Sequence, residues 1–144
     1  MTQSESSFPT LDEMRQSAEH SGYFALLGMQ ITTAQDGKGI VRIQVDERLM
    51  HPQMIVHGGV IFTLADTAMS WALISTLPPG TPVTTIEAKI NYLLPVRTGV
   101  LEAKAAVVHR GRSTAVLEST VYNINGEERT AIARILGTFN FPRR

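Results

Sequence analysis

No cysteine occurs in the 144 residues. That absence excludes disulfides, thiolate metal sites and a cysteine nucleophile, and it fits a reducing compartment such as the cytoplasm. Neither sign of charge is in excess, because thirteen Lys and Arg balance thirteen Asp and Glu. A balanced chain is a poor general binder of nucleic acid or of acidic membranes, which need surplus positive charge. The amino terminus, MTQSESSFPT, lacks both a basic and an apolar region of the secretory type. Repeats, low-complexity runs and linkers are also missing. What remains is an ordinary apolar content of 43%, enough for one core. We expect a single domain over residues 1–144, with a loose polar tail to about Thr10.

Leu11, Met14 and Ala18 recur at helical spacing, so Asp12 to His20 reads as a short helix, ended by Gly22. Gly28 to Ala34 reads as a strand, Asp36-Gly37 as a turn, and Gly39 to Asp46 as a strand with Val41, Ile43 and Val45 facing inward. Glu47 to Val56 has no clear period and reads as a loop. Gly58 to Leu77 is different: it is rich in apolar residues and carries one charge, Asp66. A membrane span needs about 20 mostly apolar residues, and an aspartate at its centre costs about 2.5 to 3.5 kcal/mol. A helix buried on most sides is the better reading, stopped by Leu77-Pro78-Pro79-Gly80.

Downstream the period switches to two. Val83 to Leu94 places Ile86, Ala88, Ile90, Tyr92 and Leu94 on one face, and Thr85 with Glu87 on the other. Leu101 to Val107, Ser113 to Asn123 and Arg129 to Phe141 follow as strands, with turns at Pro95 to Gly99, His109 to Arg112 and Asn125-Gly126. The short turns predict that the late strands form an antiparallel meander. The class is α+β: an antiparallel sheet of about five to six strands wrapped around one long helix.

His57-Gly58-Gly59 enters that helix. Free N–H groups at a helix N-terminus favour a developing negative charge, as in an oxyanion hole; the same residues also serve as a tightly packed helix entry. Asp66 sits among Leu64, Ala65, Ala68, Met69 and Trp71, where a carboxylate loses solvation and must be compensated. Either nearby hydroxyls satisfy it (Thr63, Thr67 or Ser70), or it is a general base or nucleophile. Gly58 and Asp66 are about 12 Å apart along one helix axis, too far for one carbonyl to meet both. If both act on one bond, two subunits must share the site. Antiparallel helices about a two-fold axis would do so twice, which predicts a homodimer, with a dimer of dimers as the expected higher assembly.

The stretch VHGGVIFTLADTAMSWAL, Val56 to Leu73, resembles the central helix of the hotdog-fold acyl-CoA thioesterases. The likeness is to the phenylacetate-degradation branch of the 4-hydroxybenzoyl-CoA thioesterase superfamily. It extends through TTIEAKINYLLPV and HRGRSTAVLESTVYNINGEERTAIARILGTFNF. The resemblance implies that Asp66 acts on the thioester as base or nucleophile and that the Gly58 N–H polarises its carbonyl. His57 would shape the loop, and Thr85 falls where relatives carry a hydroxyl that helps to place water. It also implies no metal and no cofactor, CoA being part of the substrate. CoA phosphates would lie near an arginine, Arg110 or Arg112. The acyl pocket would lie near Gly59, Met54, Phe62, Met69 or Trp71. Two positions depart from the family pattern: His51 replaces a common Asn that offers an amide to substrate or water, and Met54 replaces a common Gly. His51 either substitutes as a donor or changes the mechanism or acyl preference. The expected activity is hydrolysis of an acyl-CoA. The alternatives are a non-catalytic acyl-CoA or acyl-carrier binding module and a hydratase or dehydratase on the same fold.

Overall fold

The structure, a computed structural model, describes residues 9–143; the expected tail lies almost wholly outside the described residues. Helix α1 (Leu11–Glu19) starts from a reciprocal cap. Thr10 Oγ1 accepts from Glu13 N, and the Glu13 carboxylate accepts from Thr10 N at 2.7 Å, which satisfies two otherwise unpaired donors. Gly22 does not end this region; it opens a second short helix, α2 (Gly22–Leu27). Gly28 stops the chain instead, in the left-handed region at φ 70°, where a side chain would be strained. The first strand therefore starts later than Gly28, as β1 (Gln30–Gln35).

β1 pairs with β2 (Lys38–Gln44). Both turn residues between them have positive φ, Asp36 at 51° and Gly37 at 75°, the conformation that matches strand twist in a two-residue hairpin. Val41 and Ile43 are buried, as the alternation predicts. The Glu19 carboxylate accepts from Ile31 N at 2.7 Å, which ties α1 to the free side of β1. The segment read as a loop contains one 3-10 turn, Glu47–Leu49, before α3 (Gly58–Ile74). Among the described residues, no helix is long and apolar enough to cross a membrane.

The remaining strands are β3 (Thr84–Tyr92), β4 (Val100–Arg110), β5 (Thr114–Asn125) and β6 (Glu128–Asn140). The six-stranded antiparallel sheet has the order β1-β2-β4-β5-β6-β3, and with the long helix α3 it makes the hotdog fold. β4, β5 and β6 form the expected meander; β3 does not join it. The segment Pro95 to Gly99 makes no hairpin, because its backbone is bound elsewhere. Val96 O accepts from Val56 N at 2.8 Å and Gly99 O from Val45 N at 2.9 Å. The chain thus crosses from the β6 edge to the β2 side, and among the described residues β3 is left with an unpaired outer edge. The turn after β4 also starts later than expected, since His109 and Arg110 still belong to the strand.

α3 packs on the concave face of the sheet, where Leu64, Ala65, Ala68, Ala72 and Leu73 are fully buried. Each large apolar side chain buried this way contributes about 2 kcal/mol. Gly39 of β2 lets the helix approach closely: a Cβ there would lie 2.8 Å from Ala72 N.

On the opposite face of the sheet, Glu102 is only 2% exposed. Arg42 Nε donates to it at 2.6 Å and Arg129 at 2.8 Å, and the Arg129 guanidinium stacks 4.1 Å over Tyr122. Burial alone would raise the Glu102 carboxyl. The hydrogen bonds from Arg42 and then Arg129, with their charges, outweigh it and hold the group below the usual carboxylate value. A carboxylate with a depressed folded value stabilises the fold above its unfolded value, and that contribution disappears as pH falls through the folded one. Both arginines are partly exposed, which screens the pairs. We expect Glu102→Gln to cost about 1 to 2 kcal/mol at neutral pH and less in acid, read from urea unfolding at pH 7 and near pH 3.

Candidate active site

The N-terminus of α3 is shaped by the residue that precedes it. His57 is its N-cap, and His57 Nδ1 accepts from Gly59 N at 2.9 Å. His57 O accepts from Val60 N at 2.9 Å. No acceptor among the described residues meets the Gly58 N–H. Of the first three helical donors, Gly58 is therefore the one left free, at the positive end of the helix dipole. With Nδ1 as the acceptor, the ring proton sits on Nε2.

His51 repeats this arrangement, since its Nδ1 accepts from Gln53 N at 3.0 Å. The loop around it is closed by His51 N to Ile55 O and Met54 N to His51 O. Met54 has φ 59° and is 59% exposed. The position where the resemblance leads one to expect Gly thus keeps a glycine conformation while bearing a side chain, at a strain of about 1 kcal/mol. His51, Gly58, Ile61, Tyr92, Leu94 and Val96 line one open cleft of about 320 Å³. Met54 is not among its walls, and Met69 is fully buried, so neither faces this cleft.

Tyr92, which the sequence reading placed only as a strand residue, is central here. Its hydroxyl donates to Gly58 O at 2.8 Å. A Cβ on Gly58 would lie 3.0 Å from Tyr92 Cζ and Oη. Burial pushes the Tyr92 phenol up, so it stays a donor. Its hint in the sequence was an aromatic hydroxyl closing the apolar alternation of β3.

Asp66 lies two turns further along α3, on the face the sheet leaves partly open. That stripe runs through Gly59, Thr63, Asp66 and Ser70, while the neighbours Ala65, Thr67 and Ala68 are buried. None of the three hydroxyls close in sequence reaches the carboxylate; Thr63 is engaged with Tyr23 at 2.8 Å. The partner is Thr85, whose Oγ1 donates to Asp66 Oδ1 at 2.7 Å. This corrects the phase read for β3. The register skips Ile86 between Thr85 and Glu87, so Ile86 turns outward at 56% exposure and Thr85 turns in with Ala88. A bulge adds one residue and flips the faces on one side of it. Asp66 Oδ2 has no hydrogen-bond partner among the described residues. Phe62, half-buried, borders the same open stripe.

A third group lies beyond the C-terminal end of α3. Arg110 donates to Thr76 O at 2.6 Å and stacks 5.9 Å over Phe141. Arg110, Arg112 and Arg143 line a cleft of about 700 Å³ with Leu77, Pro78 and Phe141. The expected site residues therefore fall into three places: Gly58, Gly59, His57 and His51 at the helix start, Asp66 and Thr85 in its middle, and the arginines past its end. Gly58 and Asp66 share one unbroken helix, which keeps them about 12 Å apart along its axis. The first two groups together offer a free main-chain donor for an oxyanion and a carboxylate oriented by a hydroxyl, the parts that acyl transfer to water requires.

Comparison with known proteins bears on this arrangement. Residues 53–130 match the model of the thioesterase superfamily. The chain is 33% identical over 92 residues to the 1,4-dihydroxy-2-naphthoyl-CoA hydrolase of Listeria monocytogenes, covering 64% of this chain and 75% of that one. It is 32% identical over 98 residues to the acyl-coenzyme A thioesterase PaaI of Escherichia coli, covering 67% and 68%. A thioesterase structure from Haemophilus influenzae superposes with a TM-score of 0.82 at 27% identity, over 95% of this chain and 93% of that one.

Replacing the cap tests the local analysis. His57→Ala should cost about 1 kcal/mol, the usual loss for an N-cap, seen as a lower urea midpoint with an unchanged slope.

Proposed function

Because this chain belongs to the thioesterase superfamily, we propose that it hydrolyses an acyl-CoA in a site shared by two subunits, with Asp66 from one and Gly58 from the other. The observation that carries this reading is the Asp66 carboxylate itself, held at one oxygen by Thr85, free at the other, and on the one stripe of α3 that its own sheet leaves open. The free oxygen takes a proton from water as the water oxygen bonds to the thioester carbonyl carbon. Charge on the carbonyl oxygen is met by the Gly58 N–H of the partner subunit. Collapse then breaks the C–S bond; the thiolate takes up the proton and leaves as free CoA, and a carboxylic acid remains.

The other residues fit around this step. Thr85 aims Asp66 and holds water beside it. His51, with its proton on Nε2, stands as donor where the family commonly has an amide. The open edge of β3, with the exposed Ile86 within it and Leu93 and Leu94 just beyond it, gives a second copy an edge to extend, which sets the two α3 helices antiparallel. The acyl group lies along the open stripe past Gly59 and Phe62. The CoA phosphates bind in the arginine cleft through Arg110 and Arg112, past the end of α3, which itself lies about 12 Å along the axis from Asp66.

Thiol release from a panel of acyl-CoAs is the direct test. Asp66→Asn should lower turnover at least about 100-fold while leaving the oligomer intact; wild-type-like turnover in that variant would end the mechanism. Co-refolding inactive Asp66→Asn with an inactive Gly58→Val chain tests the sharing. A composite site should recover about a quarter of wild-type activity, since half the dimers regain one of two sites. Sites contained within one chain would recover none.

A further inference from the structure

The residues around Gly58 show more than a free donor; they show what holds it. Gly58 Cα stands between two peptide groups. The peptide that follows it is fixed at both ends: its carbonyl, Gly58 O, accepts from Tyr92 Oη at 2.8 Å, and its N–H, on Gly59, is taken by His57 Nδ1 at 2.9 Å. The peptide that precedes it carries the free Gly58 N–H, and its carbonyl, His57 O, is bound by Val60 N. With both planes held, the Gly58 N–H has one direction. The Tyr92 ring also fills the space that a Cβ on Gly58 would use, 3.0 Å from Cζ and Oη, so the ring and the glycine fit each other.

We propose that Tyr92 is a positioning residue for the thioesterase reaction, in which its hydroxyl, on the last residue of β3, clamps Gly58 O and so aims the Gly58 N–H at the oxyanion. The inference rests on the reading of Gly58 given above. It adds a dependence that runs between elements: the donor belongs to α3, and its aim is set by the strand whose outer edge is open. Tyr92 is 51% exposed and lines the same cleft as His51 and Gly58, so the clamp works at the wall of the site rather than in the core. A donor misaimed in the transition state alone lowers kcat and leaves KM in place, which separates this role from substrate binding and from bulk stability.

Tyr92→Phe keeps the ring and removes only the hydroxyl. We expect kcat for acyl-CoA hydrolysis to fall about tenfold with KM within about twofold, and the Gly58 and Gly59 amide resonances to move in nitrogen-15 NMR spectra. A second pair tests the fit of ring and glycine. Gly58→Ala should cost several-fold more turnover with Tyr92 present than in a Tyr92→Ala background, because the ring no longer has to move. The proposal is overturned if Tyr92→Phe turns over like wild type, if only KM rises, if the two amide resonances stay in place, or if Gly58→Ala costs the same in both backgrounds. Wild-type protein that releases no thiol from any acyl-CoA would instead overturn the reading of the reaction, and the amide resonances would still decide whether Tyr92 sets Gly58.

Discussion

A helix that is apolar on nearly every side must be enclosed, and most of this molecule follows from that constraint. α3 carries one formal charge over its length. The sheet curves around it, Gly39 gives the backbone room to approach, and the small residues Ala65, Ala68 and Ala72 form the contact face. One chain does not complete the enclosure. The stripe through Gly59, Thr63, Asp66 and Ser70 stays partly open, and the charge sits on that stripe. A carboxylate that had to be buried by its own sheet would need several hydrogen bonds; one on the open side needs only the Thr85 hydroxyl and remains available.

The helix start and the helix middle solve different problems. At the start, the fold consumes all but one of the first main-chain donors, through a histidine cap and a helical turn, while the phenol of Tyr92 donates to the Gly58 carbonyl. In the middle, it orients one acid. Both devices reach α3 from β3, since Thr85 and Tyr92 lie near opposite ends of that strand. β3 is thus a second support for the chemistry proposed above, and its bulge at Ile86 is what allows Thr85 and Ala88 to face inward together.

Much of this was legible from residue order. The start of α3 at Gly58 followed from the apolar run; its end, at Ile74, falls three residues before the expected Leu77, because Ser75 and Thr76 turn their hydroxyls back onto Ala72 O and Leu73 O. The Asp36-Gly37 turn and Gly126 at φ 58° lie where their residue types predict, and the inward faces of β2 and β4 followed from strict alternation. The pairing of β3 did not, because nothing local distinguishes a hairpin from a crossover; the difference lies in hydrogen bonds from Val45 and Val56, distant in sequence. The bulge was hidden for a similar reason. Thr85-Ile86-Glu87 alternates cleanly, and only pairing with Phe139 and Thr138 makes Ile86 the surplus residue. Gly22 read as a stop because glycine commonly ends helices, yet here it starts one. Asp66 was visible as a lone charge in an apolar run, but its hydroxyl partner and the clamp at Tyr92 are tertiary contacts that no spacing encodes.

The contact between Glu19 and Ile31 N has a meaning for assembly that the pair alone does not show. It occupies a backbone donor on β1, and α1 lies against that border of the sheet, so this side is closed to a visiting strand. Among the described residues, the opposite border, β3, carries no such cover. A ribbon with one blocked and one bare side joins a like ribbon once, bare side to bare side, and then has nowhere to grow. The same asymmetry that would favour the proposed pairing therefore works against open-ended fibres.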